Sequence, residues 1–172
     1  MTRTVLQLRP ARPEPLSDLT FRWERFGNIA GELTPLFKAN WRELALYKDD
    51  IPLDPDWDRY FLSDVGGLLR ILTARANGEL VGYIFNFLSP HLHYVSTITA
   101  TVDIFWLHPD FRHGWTPVRM FRENMEGLKE QGAKVHTINF KLHFKNARGR
   151  GVGKLLSRLG YKPIEIVMQK RL

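Results

Sequence analysis

The chain contains no cysteine. That excludes a disulfide framework, a thiolate nucleophile and a zinc–cysteine site. Long apolar runs are missing as well: nothing approaches the roughly 18 uninterrupted apolar residues that a membrane span needs. The opening residues, MTRTVLQLRPARPEPL, hold no apolar stretch of signal-peptide length, so the expected location is cytoplasmic. No internal repeat, low-complexity tract, zinc-finger spacing or obvious helix-turn-helix pair is present, which argues against a solenoid and against the common DNA-reading modules.

What is present fits one globular domain. The chain has 172 residues, 44% hydrophobic and 25% charged, enough to bury a real core. Net charge is +7. Such an excess suits a polyanion such as nucleic acid, or the phosphates of a nucleotide cofactor, or merely a solvated basic surface. The basic residues are spread along the chain except in KLHFKNARGRGVGK, from Lys141 to Lys154. Residues 1–18 carry Pro10, Pro13 and Pro15 and read as an extended lead-in, leaving 19–172 as the domain.

Hydrophobic periodicity then orders the elements. Leu19 to Phe26 alternates and predicts a strand that Gly27-Asn28 breaks. Ile29 to Tyr47 suits one or two helices, with Pro35 opening a new turn rather than sitting inside one. A second short helix is expected from an Asp54 cap and Pro55, running through Trp57, Tyr60 and Phe61 to Gly66-Gly67. Leu68 to Arg75 and Leu80 to Leu88 predict two strands, joined through Asn77-Gly78 in a type I′ hairpin. Ser89 to Val95 reads as a polar, aromatic loop, and Ser96 to Leu107 as a long antiparallel strand. Val135 to Leu142 predicts a strand parallel to it, Val152 to Leu159 a short helix, and Tyr161 to Gln169 a closing strand. Two parallel strands splaying around the intervening helix would open a cleft at their ends.

Ala100 to Gly127 carries the chemistry. A β-branched and aromatic run ends at His108-Pro109, Asp110 to Gly114 turns, and Thr116 caps a helix with Pro117 in its first position. A helix N-terminus reached in this way presents unpaired N–H groups and the positive end of a dipole, a seat for phosphate.

Strand, then Pro109-Asp-Phe-Arg112, then a turn into an amphipathic helix resembles the acyl-coenzyme A site of the GNAT superfamily of N-acetyltransferases. The family turn reads Arg/Gln-x-x-Gly-x-Gly/Ala. Arg112 takes the first place, and Trp115 and Pro117 stand where the glycines would be. The element order and the ending Leu155-Leu-Ser-Arg-Leu-Gly-Tyr161 extend the likeness over nearly the whole chain. Three fragments resemble acetyltransferases encoded by bacteriophages: Asn40 to Trp57, Pro90 to Tyr94, and Asp103 to Arg112.

The resemblance implies an α/β fold in a single domain, the GNAT-like acyl-CoA N-acyltransferase fold. Its sheet would be mixed and mostly antiparallel, with one splayed parallel strand pair and flanking helices. It implies acetyl transfer from acetyl-CoA to a primary amine of a small molecule or protein. The strand backbone of Ile104, Phe105, Trp106 and Leu107 would meet the pantetheine arm. Arg112, His113, Gly114, Trp115, Thr116 and Arg119 would meet the pyrophosphate, although Pro117 has no N–H to give. Glu43, with Trp41 and Tyr47, would face a cationic acceptor. Leu156 occupies the place of the usual acid tyrosine, and Gly149 that of the usual asparagine.

For a base the residues themselves offer two groups. Asp103 is a carboxylate inside an apolar strand, expected on the face opposite Ile104 and buried; the alternative is a structural partner for Trp, Arg or Lys. His91, His93 and Tyr94 form the second group, since imidazoles titrate near neutrality. Two histidines fall short of the three or four ligands zinc wants, so no metal is expected. Against catalysis stands a non-catalytic module of the same fold, binding protein or nucleic acid through the basic loop. A nucleic-acid-binding protein driven by charge alone is less favoured, and a homodimer is left open.

Overall fold

A computed structural model describes residues 19–141 and 151–170. Five strands form one sheet in the order β1 (Leu19–Glu24), β2 (Leu69–Ala76), β3 (Glu79–His91), β4 (Tyr94–Leu107) and β5 (Ala133–Ile138). The first three pairings are antiparallel, and β4 with β5 is parallel, as the intervening helix predicts. Helices α1 (Phe26–Leu44) and α2 (Trp57–Val65) cover one face, and α3 (Thr116–Glu130) and α4 (Val152–Arg158) the other. This is the mixed, helix-flanked sheet that the sequence implies.

Each face has its own core. Phe26, Ile29, Leu33 and Phe37 of α1 recur at helical spacing and bury against Leu69, Ile71, Tyr83, Phe85 and Trp106. On the other face Met120 and Phe121 of α3 and Leu156 of α4 pack on Leu72, Ile84, Val102 and Leu107. A buried arginine ties β1, β2 and α1 together: Arg75 bonds Glu24 at 2.8 Å and Glu32 at 2.8 Å. Asn77 (φ 51°) and Gly78 (φ 87°) form the predicted left-handed hairpin pair.

Several boundaries differ from expectation. The first strand ends at Glu24, before Gly27-Asn28 is reached, and that pair lies in the first turn of α1 because Phe26 joins the apolar stripe of that helix. The buried carboxylate of Asp64 accepts the Phe26 N–H at 3.1 Å, a cap supplied from α2 that no local pattern announces. Pro35 sits inside α1, which stays one helix because its inner face is packed along its length. Asp56 rather than Asp54 caps α2, accepting from Arg59 N at 2.9 Å. Ser89 to Val95 is no loop: β3 runs to His91 and β4 starts at Tyr94, so Leu92-His93 alone makes the turn. Thr116 is the first residue of α3 and not its cap; Trp115 holds the cap position.

The β5 strand spans 133–138 instead of 135–142. The closing strand is not formed. Tyr161 to Gln169 carries no strand pairing, and Ile164, Ile166, Val167 and Met168 are exposed. Strand propensity is realised only against a neighbour, and among the described residues this segment has none. The basic loop falls mostly in residues 142–150, outside the described residues.

Candidate active site

The site is shaped by where β4 and β5 part. Their pairing runs from Ile98 with Ala133 to Val102 with Ile138, and β5 ends there. From Asp103 to Leu107, β4 continues with no strand beside that edge among the described residues. At the parting point β4 carries a β-bulge: Val102 opposes Asn86, Ile104 opposes Phe85, and Asp103 is the extra residue. The bulge corrects the expected placement of Asp103. Instead of pointing away from Ile104, both face the α1–α2 layer, where Asp103 Oδ2 accepts from the Tyr60 hydroxyl at 2.6 Å. Nor is Asp103 buried; it is exposed. Its partner is a tyrosine, not the Trp, Arg or Lys of the structural alternative.

The α1 helix closes one side of this edge. Its inner stripe turns polar toward the C-terminal end, at Asn40 and Glu43. Asn40 Nδ2 donates to the Phe105 carbonyl and to the Tyr83 hydroxyl, both at 3.3 Å. Glu43 Oε2 accepts from Trp106 Nε1 at 2.9 Å and from an Arg112 nitrogen at 2.7 Å, while the second Arg112 nitrogen bonds Oε1. Arg112 Nε donates to the Leu107 carbonyl, and its guanidinium lies 5.5 Å from the Trp106 ring centre. Burial by itself raises the Glu43 pKa, but the hydrogen bonds from Arg112 and Trp106 and the Arg112 charge outweigh it and hold the carboxyl low. Glu43 and Arg112, expected on an acceptor and on a pyrophosphate respectively, are brought together as one clasp between α1 and the turn after β4.

That turn is a single 3₁₀ turn, Pro109–Phe111, followed by Gly114 with φ 61°, which a side chain would strain. Phe111 N and Arg112 N are spent within the turn, on His108 and Pro109 carbonyls. The first helical bond of α3 is Arg119 N to Trp115 O, at 2.9 Å. The N–H groups of His113, Gly114, Trp115, Thr116 and Val118 therefore meet no acceptor among the described residues, and they gather at the positive end of a 15-residue helix. These donors fit phosphate. Arg119 does not join them: its guanidinium lies over the Phe21 ring of β1, at the opposite edge of the sheet from β5.

Solved structures with the same shape carry low sequence identity. The ribosomal-protein-alanine N-acetyltransferase of Brucella melitensis biovar Abortus 2308 aligns over 90% of this chain and 99% of its own, with a TM-score of 0.65 and 17% identity. An aminoglycoside acetyltransferase from an uncultured soil metagenomic sample gives a TM-score of 0.70 at 12% identity, over 90% and 99% of the two chains. A predicted acetyltransferase of Clostridium acetobutylicum, solved with acetyl-CoA, gives 0.67 at 14%, over 90% and 96%. The chain has the GNAT acetyltransferase fold. No protein-family model matches the sequence, and no curated protein matches it either.

The remaining expected residues scatter within that GNAT fold. His91, His93 and Tyr94 do come together, with His91 5.4 Å from the His93 ring and 5.3 Å from the Tyr94 ring. They stand exposed at the hairpin tip. His91 is five residues of strand beyond the Asn86–Val102 pair, about 17 Å, so they do not reach Asp103 directly. Trp41 is half-buried on α1, and Tyr47 lies in the turn beyond it, its carbonyl accepting from Ile51 N at 2.8 Å. Leu156 is in the core.

Behind the sheet, Asn86, Asn124, His136 and Tyr161 form a polar cluster. Asn86 Nδ2 donates to Asn124 Oδ1 at 2.8 Å, His136 Nε2 lies 3.2 Å from Asn86 Oδ1, and His136 Nδ1 meets the Tyr161 hydroxyl. Burial pulls the His136 pKa down to about 4 and pushes that of Tyr161 up to about 12. Sequence reasoning missed Asn40 and Tyr60 as site residues. The available signal was positional: Asn40 continues the stripe of Ile29, Leu33 and Phe37, and a polar residue at a core position needs a partner.

Proposed function

We propose that the protein transfers an acetyl group from acetyl-CoA to a primary amine. The observation that carries this reading is the parting of β4 from β5 at Val102, with the bulge at Asp103 and an edge that, among the described residues, is free and leads straight into unpaired N–H groups before α3. Acetyl-CoA supplies an acetyl group activated as a thioester. The chain's part is to hold its phosphates at His113 to Thr116 and Val118, and to run the edge of Ile104 to Leu107 beside the reacting arm. An N–H from that edge is the natural donor for charge developing on the thioester oxygen. The Phe105 and Leu107 carbonyls are already engaged by Asn40 and Arg112, so this edge offers mainly donors.

The acceptor nitrogen enters from the α1–α2 side, beside Asp103, with Trp41 and Tyr47 as the outer wall. Its lone pair forms the C–N bond as the C–S bond breaks. The electron pair leaves on sulfur, which takes up one proton, and the amine gives up one to Asp103 or to water. His91, His93 and Tyr94 would touch only the far end of a long acceptor. Aminoglycosides and a ribosomal-protein alanine, named for two of the similar structures, are the acceptors to try first, and the phage-like fragments Asn40 to Trp57 and Asp103 to Arg112 fall within this same wall and edge.

Calorimetric titration with acetyl-CoA tests the reading; no heat at millimolar ligand overturns it. A thiol-release screen over aminoglycosides, polyamines, amino acids and peptides then seeks the acceptor. One observation favours a second reading, a binding module without turnover: Leu156 is buried where the family's acid would stand. Heat on titration with no thiol release across the screen supports that alternative.

A further inference from the structure

Tyr60 has no assigned part in this chemistry, yet its hydroxyl is the one described group bonded to Asp103. Its ring is fixed independently of that bond. It stacks on Phe26 at 5.8 Å and on Phe87 at 6.4 Å, and meets Phe85 edge-on at 5.4 Å. Asp103, by contrast, is exposed and sits at a bulge where regular pairing gives it no support. The rigid partner therefore locates the free one. With Asp103 open to solvent and Tyr60 held by its packed ring, the consequence of the bond is positional: it fixes where the carboxylate stands. Burial first, and then the Asp103 carboxylate, push the Tyr60 hydroxyl well above the usual phenol range, so it remains a donor and takes no proton itself. The second oxygen, Oδ1, has no hydrogen bond from the described residues.

We propose that Tyr60 is a positioning residue for the amine acceptor: it pins Oδ2 of Asp103 at the bulge and leaves Oδ1 to accept a hydrogen bond from the incoming amine. The proposal rests on the acetyl-transfer reading. It narrows that reading to an acceptor whose amine reaches the α1–α2 side of β4 at the parting point.

Tyr60→Phe deletes one oxygen and keeps the packed ring. Steady-state rates are measured with kanamycin, spermidine and an alanine-initiated peptide as probes. With whichever of these the wild type acetylates, Tyr60→Phe should lower kcat/KM for the amine by about tenfold and leave KM for acetyl-CoA unchanged. Asp103→Asn should lower it at least as far, and the double variant no further than Asp103→Asn alone. Additive losses, or a wild-type rate in Tyr60→Phe, overturn the proposal while the acetyl-transfer reading stands. If no probe is acetylated, the crystal structure of Tyr60→Phe still decides: an Asp103 carboxylate displaced or split between rotamers supports the proposal, and an unchanged single rotamer overturns it.

Discussion

Arg112 is where two roles compete, and removing it separates them. Arg112→Met keeps an apolar stem of similar length but takes away every donor. Glu43, whose side chain is only 25% exposed, then keeps the Trp106 N–H and loses both guanidinium bonds. Deleting one partner of a fully buried pair costs about 3–5 kcal/mol, and the partial exposure of this one brings the expectation to about 2 kcal/mol. For a domain of this size that is a fall in Tm of about 6 °C.

The pH dependence has a sign of its own. In the wild type the Glu43 carboxyl is held low, so its stabilising contribution is complete above the unfolded value of about 4.3 and is lost as pH falls through the folded value. Without Arg112, burial dominates, the carboxyl rises above its unfolded value, and acidification relieves a penalty instead of removing a gain. Urea unfolding followed by circular dichroism should therefore show the two proteins converging as pH falls toward the unfolded carboxyl value of about 4.3. Glu43→Gln with Arg112→Met should recover most of the loss, because no charge is left unpaired. If Arg112→Met unfolds like the wild type while acetyl-CoA binding weakens, the clasp is wrong and Arg112 serves phosphate after all.

Two further outcomes are expected. Gly127→Ala puts a methyl group 2.4 Å from Trp23 Nε1, with two more ring atoms within 2.6 Å, so it should destabilise by about 2 kcal/mol in urea unfolding, and Trp23→Leu in the same chain should relieve it. His136 is held neutral by burial, with its pKa near 4, so its contribution is complete above the unfolded value of about 6.5 and is lost as pH falls from there toward 4. His136→Gln should flatten the fall in unfolding free energy over that range, by up to about 3 kcal/mol; an unchanged slope would show that His136 is not buried neutral.

Much of this frame is legible in the sequence, because local signals and tertiary demands agree there. Asn77-Gly78 can only turn, the strands on either side of it must pair, and a helix between Leu107 and Ala133 forces a parallel return. The site is less legible, because its devices are long-range. Nothing near Asp103 announces that β4 has one residue more than β3 needs, so strict alternation assigned it to the wrong face. Arg112 looks like a phosphate ligand beside its turn, and its true partner is 69 residues away on α1. The hairpin tip reads as a loop because its run is polar and aromatic, while the register pairs Pro90 with Ile98 and His91 with Tyr94 and leaves only Leu92-His93 to turn. The closing strand shows the opposite failure, propensity without a partner.

The bulge at Asp103 also bears on how such a site is inherited. One surplus residue makes the halves of β4 serve the two cores in opposite phase: Val102 points to α3, yet Ile104 and Trp106 point to α1. What must be kept is a count, not a set of side chains. A strand can exchange nearly every residue and still open at the same point, provided the number of residues between the pairing with β5 and the turn is preserved. Shape follows such counts more closely than identities, and here it aligns over 90% of the chain where similarity by residue has faded to 12–17%. A single deletion in β4 would be a far larger event than several substitutions.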